Sequence, residues 1–142
     1  MRRVVVTGVG LVSSLGTGVE KTWEALLKGE TGIKLIESFD TEDLAVKMAG
    51  VVDDFNPEDF GIDKKELKKL ARFSQFGIAA SKMALDDSGL IIDENNAERI
   101  GVIVSSGIGG LDVFFFYLLN VVDKWAKRVG AFAIPAMPAN MR

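Results

Sequence analysis

The sequence contains no cysteine and no histidine. The first absence excludes disulfides, thiolate catalysis and cysteine-ligated metals from this chain. The second removes the commonest general base and the commonest zinc ligand, and leaves Ser13 and Ser14 with no imidazole to activate them as nucleophiles. No long apolar run opens the chain either: Val4, Val5 and Val6 stop at Thr7 and Gly8, far short of a signal-peptide core, and read as part of a strand. Excess basic charge is missing too. With 17 Lys and Arg against 20 Asp and Glu, the formal charge of −3 offers no electrostatic footprint for nucleic acid. The expectation is a cytoplasmic protein with no cofactor, no metal and no nucleic-acid or membrane partner.

What is present suits one globular domain over residues 1–142, since 48% apolar and 26% charged residues are ordinary proportions for a chain with its own core. Residues 3–7 predict a short buried strand, followed by a loop punctuated by Gly8, Gly10 and Gly16. Val19, Trp23, Leu26 and Leu27 have helical spacing over 18–28, and Gly29 ends the run. A second strand is expected over 45–52, then a polar connection over 56–63 holding Pro57 and Gly61. The apolar spacing over 64–88 predicts helix in two pieces, broken near Arg72 and closed by Ser88 and Gly89. Residues 100–104 read as another buried strand, and 111–125 as an apolar helix. Strands alternating with helices point to an α/β layered fold with its strands covered on both faces.

Three stretches invite chemical readings. Val4-Val-Val-Thr-Gly-Val-Gly10 is a poor dinucleotide-binding turn, because the third glycine of that fingerprint falls on Ser13, so a structural turn is the better reading. Ser105-Ser-Gly-Ile-Gly-Gly-Leu111 places glycines where backbone can approach backbone or a ligand, although a strand-to-helix connection alone would also use them. Lys64, Lys65, Lys68 and Lys69 fall along one side of a helix, with Arg72 one turn further on. Such a run is ordinarily a solvated face, yet on an acidic chain it would attract an acidic partner.

The order and spacing of Arg2-Arg-Val-Val-Val-Thr-Gly-Val-Gly-Leu-Val-Ser-Ser-Leu-Gly16, Thr22-Trp-Glu-Ala-Leu-Leu27, Gly32-Ile33, Phe39-Asp40 and Asp54-Phe-Asn-Pro-Glu-Asp59 resemble the opening of the bacterial β-ketoacyl-acyl-carrier-protein synthase II family. Residues 64–73 and 105–111 keep the same register. The resemblance implies a thiolase-like αβαβα layered sandwich, with this chain supplying the N-terminal half-domain portion of a homodimer. It also implies fatty-acid elongation by decarboxylative condensation of malonyl carrier protein with an acyl-enzyme thioester. In the family's layout the cysteine nucleophile and two histidines lie beyond position 142, so no catalytic residue is expected here and the chain alone should be inactive.

Carried over residue by residue, the resemblance assigns Ile108, between Gly107 and Gly109, to the acyl pocket. Lys65, Lys68 and Lys69 become the docking face for acyl carrier protein. Phe132-Ala-Ile-Pro-Ala-Met-Pro-Ala-Asn-Met141 becomes the segment that closes the partner's pocket through Ala133, Ile134 and Pro138. Two departures stand out. The family has a large apolar side chain where Ala133 stands, and Phe114-Phe-Phe-Tyr-Leu-Leu-Asn-Val-Val122 replaces a stretch usually rich in polar residues. A helix apolar on every side must be buried or must associate. The rival expectation is therefore a non-catalytic ketosynthase-derived module that associates through helix 111–125.

Overall fold

The computed structural model describes residues 2–124. In chain order the elements are β1 (Val12–Ser13), β2 (Gly16–Thr17), α1 (Val19–Leu27), β3 (Ile33–Leu35), β4 (Met48–Gly50), a 3-10 turn at Pro57–Phe60, α2 (Lys64–Leu67), α3 (Arg72–Ser88), a second 3-10 turn at Ala97–Arg99, and α4 (Leu111–Lys124). Both sheets are two-stranded antiparallel hairpins. Val12 lies opposite Thr17 in the first, and Ile33 opposite Gly50 in the second. The chain divides into two compact units: one runs to Asn56 and adds Ala79–Leu90, the other takes Pro57–Ile78 and continues from Ile91.

In the first unit, α1 forms where the sequence places Val19, Trp23, Leu26 and Leu27 at helical spacing, and its end follows from Gly29. That residue adopts φ 69, where a Cβ would be strained. The Gly29 N–H then donates to Leu26 O at 3.0 Å and the Glu30 N–H to Ala25 O at 3.0 Å, the paired bonds of a Schellman ending that satisfy carbonyls the helix leaves open. Thr22 and Ala25 are the buried residues of this helix. The Thr22 hydroxyl donates to Gly16 O at 3.1 Å and lies 3.0 Å from the Ser13 hydroxyl, which ties α1 to the β1–β2 hairpin.

Gly8 and Gly10 bring the N-terminal segment against the later part of α3. A Cβ added at Gly8 would lie 2.1 Å from Ala84 O, and one at Gly10 would lie 2.1 Å from Ala80 O, so neither position has room for a side chain. The Val9 N–H donates to the Asp87 carboxylate at 2.8 Å in the same contact. Gly89, at φ 63, then ends α3, while the Ser88 hydroxyl donates to Leu85 O and accepts from the Leu90 N–H.

The helices at 18–28, 64–88 and 111–125 agree with the sequence pattern to within a residue or two, including the interruption before Arg72. The strands do not. Residues 3–7 and 100–104 join no ladder among the described residues, and Val4 is 94% and Ile103 97% exposed, against the expectation of burial. A buried parallel strand exists only when neighbours on both sides take up its N–H and C=O groups. The described part of the chain supplies no such neighbour to either segment. The strand expected over 45–52 shortens to β4, and its partner β3 has all three residues exposed, so the idea of strands covered on both faces fails here too.

One ion pair organises the loop between β4 and the first 3-10 turn. The Asp54 carboxylate accepts from Lys21 Nζ at 2.5 Å and from the Thr17 N–H at 3.1 Å, linking that loop to α1 and β2. The Lys21 contact, assisted by the Thr17 N–H and opposed by partial desolvation, holds the Asp54 carboxyl below its ordinary value of 3.8. A carboxylate with a depressed folded-state pKa contributes stability that is complete above the unfolded value and is lost as pH falls through the folded one. The Asp54→Asn variant should therefore melt below the parent at neutral pH, with the gap closing in strong acid. Melting curves recorded across that range check this, and a gap that does not change with pH would contradict it.

Candidate functional site

Within the second unit the basic segment starts from a well-made cap. The Asp63 side chain accepts from the N–H groups of Lys65 at 2.7 Å and Glu66 at 2.8 Å, satisfying donors that the first turn of α2 leaves open. Asp63 also places negative charge at the positive end of the helix dipole. α2 is only one turn long. Lys68 is its C-cap residue, and the Lys69 N–H donates to Glu66 O at 2.8 Å, so the chain keeps turning through both lysines before α3 begins. The single helix side expected to carry Lys65, Lys68 and Lys69 is thus a short helix followed by a turn. All three lysines are exposed.

The break after α2 is held from the α3 side. Gln75 is buried, and its Nε2 donates to Leu70 O at 3.0 Å, satisfying a carbonyl left over where the helical ladder stops. Ala71 and Ile62 are buried close by in sequence, Ile62 at 3% exposure. Arg72 does not extend the basic surface as its spacing suggests. Its guanidinium stacks 4.9 Å from the centre of the Phe76 ring, a cation–π contact inside this unit. Lys64 is likewise engaged, 3.5 Å from the Glu58 carboxylate.

Residues 68–71 form one side of a cleft of about 320 Å³, and Asp112, Val113, Phe116 and Tyr117 of α4 form the other. Residues four apart share a helix face, so Asp112 with Phe116 and Val113 with Tyr117 reach the same side. The Phe116 and Tyr117 rings meet edge to face with centroids 5.4 Å apart. Val113 and Tyr117 are half-buried, whereas Phe116 stays 62% exposed and Phe114, Phe115, Leu118 and Leu119 are also exposed. The helix, expected to be buried or to associate, is only partly buried among the described residues. Sequence reasoning did not place α4 beside the lysines. The one available signal was the four-residue repeat of 113 with 117 and 112 with 116, which a helix apolar all round obscures.

The glycine-rich segment leads directly into α4. Gly109 takes φ 84, its N–H donates to the Ser106 hydroxyl at 3.0 Å, and the Phe114 N–H donates to Gly110 O at 2.9 Å to open the helix. Gly107 and Ile108 are exposed, Ile108 at 76%, so no wall closes over the proposed acyl-pocket residue among the described residues. Ala133, Ile134 and Pro138 lie outside the described residues. Among the described residues no group of three acidic side chains is placed to hold a metal ion, and no helix is long and apolar enough to cross a membrane.

Residues 1–141 match the sequence family described as Beta-ketoacyl synthase, N-terminal domain. The 3-oxoacyl-[acyl-carrier-protein] synthase 2 of Vibrio harveyi is 46% identical over 140 residues, an alignment that covers 99% of this chain and 34% of the relative. The protein of the same name from Staphylococcus aureus strain COL is 44% identical over 140 residues, with the same coverage of 99% and 34%. Among solved structures, a chain of the ishigamide ketosynthase/chain length factor matches with a TM-score of 0.79 at 30% identity, covering 97% of this chain and 34% of that one. A chain of AntDE:AntF, a type II PKS acyl-carrier protein in complex with its ketosynthase bound to the hexaketide, matches with a TM-score of 0.75 at 28% identity, covering 96% and 37%. The chain spans about a third of the length of the curated relatives it matches. It belongs to the β-ketoacyl synthase family, and its fold is the N-terminal portion of the thiolase-like ketosynthase sandwich.

Proposed function

We propose that this chain is the N-terminal part of a 3-oxoacyl-[acyl-carrier-protein] synthase of fatty-acid elongation, and that its own tasks are to receive the acyl carrier protein and to wall part of the acyl site. In the proposed reaction a cysteine thiolate attacks the carrier-bound acyl thioester and the carrier thiol leaves. Malonyl carrier protein then loses carbon dioxide, and the resulting enolate carbon attacks the acyl-enzyme carbonyl, expelling the thiolate. The thiol and the imidazoles for these steps must come from outside the 142 residues, which contain neither. Gly107, Ile108 and Gly109, with Ala133, Ile134 and Pro138, are assigned to the acyl site. A homodimer working in the cytoplasm belongs to the same proposal.

The observation that carries the docking role is the exposed Lys65, Lys68 and Lys69 on one capped helix and turn, in a chain whose net charge is −3. A cluster of one sign on a surface of the other steers an oppositely charged partner and sets the salt dependence of its binding. Support comes also from the names of the 44–46% identical relatives, which are synthases of a 3-oxoacyl-[acyl-carrier-protein]. A second reading, a non-catalytic module that associates through α4, rests on the exposure of Phe114, Phe115 and Phe116.

Two outcomes are expected. Incubated with acyl carrier thioesters, the purified chain should gain no acyl mass. Stable acylation, or β-ketoacyl product from the chain alone, would contradict the division of labour proposed here. Reversing Lys65 and Lys68 to Glu should weaken carrier-protein binding at least tenfold at low salt and flatten its salt dependence, with the melting temperature nearly unchanged, since exposed surface charges contribute little to stability. Binding unchanged by the double reversal would reduce the lysines to a solvated face.

A further inference from the structure

Val4, Val5 and Val6 are 94, 65 and 82% exposed, and among the described residues no N–H or C=O of residues 3–7 takes part in a hydrogen bond. Such a β-branched run is an edge without a neighbour, in its backbone groups and its side chains alike. It is also held in place. Gly8 lies against Ala84 O and Gly10 against Ala80 O, and the Val9 N–H between them donates to the Asp87 carboxylate. Residues two apart thus meet carbonyls one turn apart on α3, the spacing of extended backbone at about 3.3 Å per residue. Running antiparallel to α3, the segment leads from Gly8 past the C-terminal end of that helix.

The charges around this edge are unmatched. Among the described residues Arg2 and Arg3 meet no carboxylate and Asp87 meets no cation, whereas the adjacent Asp86 is paired with Lys82. Three pairings with a second copy can be weighed. Residues 3–7 could add to residues 100–104 of another copy, but every chain carries both segments, so the assembly would not close. Parallel pairing of 3–7 with itself would set Arg3 against Arg3 at about 4.8 Å. Antiparallel pairing centred on Val5 closes after two copies and sets Val5 on Val5, Val4 on Val6 and Arg3 on Thr7. It also sets Arg2 opposite Gly8. Opposed residues of a ladder point to the same face, and at Gly8 that face is α3. Arg2 of each copy is therefore directed at Asp87 and the C-terminal end of α3 in the other, where carboxylate and helix dipole both favour a cation.

We propose that residues 3–7 form a self-pairing edge through which two copies of this 142-residue chain join in antiparallel register about Val5. The pairing is separate from the homodimer proposed above for the synthase and does not rest on carrier docking. Any further chain that supplied a neighbouring strand would take up the same N–H and C=O groups and compete with it.

Sedimentation over a range of concentrations should give a mass that rises from one chain to two and then stops. Val5→Pro removes an N–H that nothing in the chain uses, so it should weaken the dimer about tenfold or more without lowering the melting temperature. Arg2→Glu should weaken it about tenfold at low salt and less at high salt. The register is read by oxidising single-cysteine variants, since the chain has no cysteine of its own. Val5→Cys should cross-link to itself, because opposed Cα atoms about 4.5–5.5 Å apart suit a disulfide. Val4→Cys alone should not, its two copies lying about 8 Å apart, but mixed with Val6→Cys it should form the heterodimer. A chain that stays monomeric overturns the proposal. Mass that grows beyond two copies overturns the closed pairing, and self-cross-linking of Val4→Cys as fast as that of Val5→Cys overturns the register.

Discussion

The interruption of the helical ladder at residues 68–71 governs what the second unit presents to its surroundings. Were α2 and α3 one continuous helix, Lys64, Lys65, Lys68 and Lys69 would share a side of it, as their spacing suggests. Asp63 starts the short helix, Gln75 satisfies the Leu70 carbonyl at the break, and Ala71 is buried where the chain changes direction. The turn so formed places Lys68 and Lys69 against the Phe116–Tyr117 side of α4, and a charge run becomes one wall of a cleft. Arg72 is drawn out of the basic group by its contact with Phe76, which narrows the surface to the lysines.

Helices were legible in the sequence because their signals are local. Apolar spacing at 19, 23, 26 and 27 with Gly29 after it, and Ser88 with Gly89 after the longer run, carry both the element and its ending within a few residues. Strands were not, because a strand is completed by its neighbour. Val4, Val5 and Val6 have the composition of a buried strand and lie exposed, and Ile103 does the same. Their patterns report an environment that residues 2–124 do not provide, in a chain about a third as long as its relatives. β4 falls inside the strand expected over 45–52, but its partner β3 escaped notice, since three residues give too little alternation to read.

The candidate site divides along the same line. Lys65, Lys68 and Lys69 could be named from spacing and from the family resemblance, and their exposure is what a docking surface needs. The α4 side of the cleft could not, because a helix carrying Phe114, Phe115, Phe116 and Tyr117 in succession offers no single apolar stripe from which to deduce its inner face. Only contact with the turn at 68–71 distinguishes Phe116 from Phe115. Ile108 shows the converse case: its place between two glycines was evident, but it is 76% exposed, so the acyl-site role proposed for it would need groups outside residues 2–124 to close over it.

The most direct test of the account is zero-length carbodiimide cross-linking of the chain to acyl carrier protein, followed by mass mapping of the new amide bonds. This reagent joins a lysine amine to a carboxylate only where the two are already in contact. The account predicts bonds concentrated at Lys65, Lys68 and Lys69, suppressed by salt and absent from the lysines of the first unit. Bonds spread evenly over Lys21, Lys28, Lys34, Lys47 and Lys82 as well would contradict it.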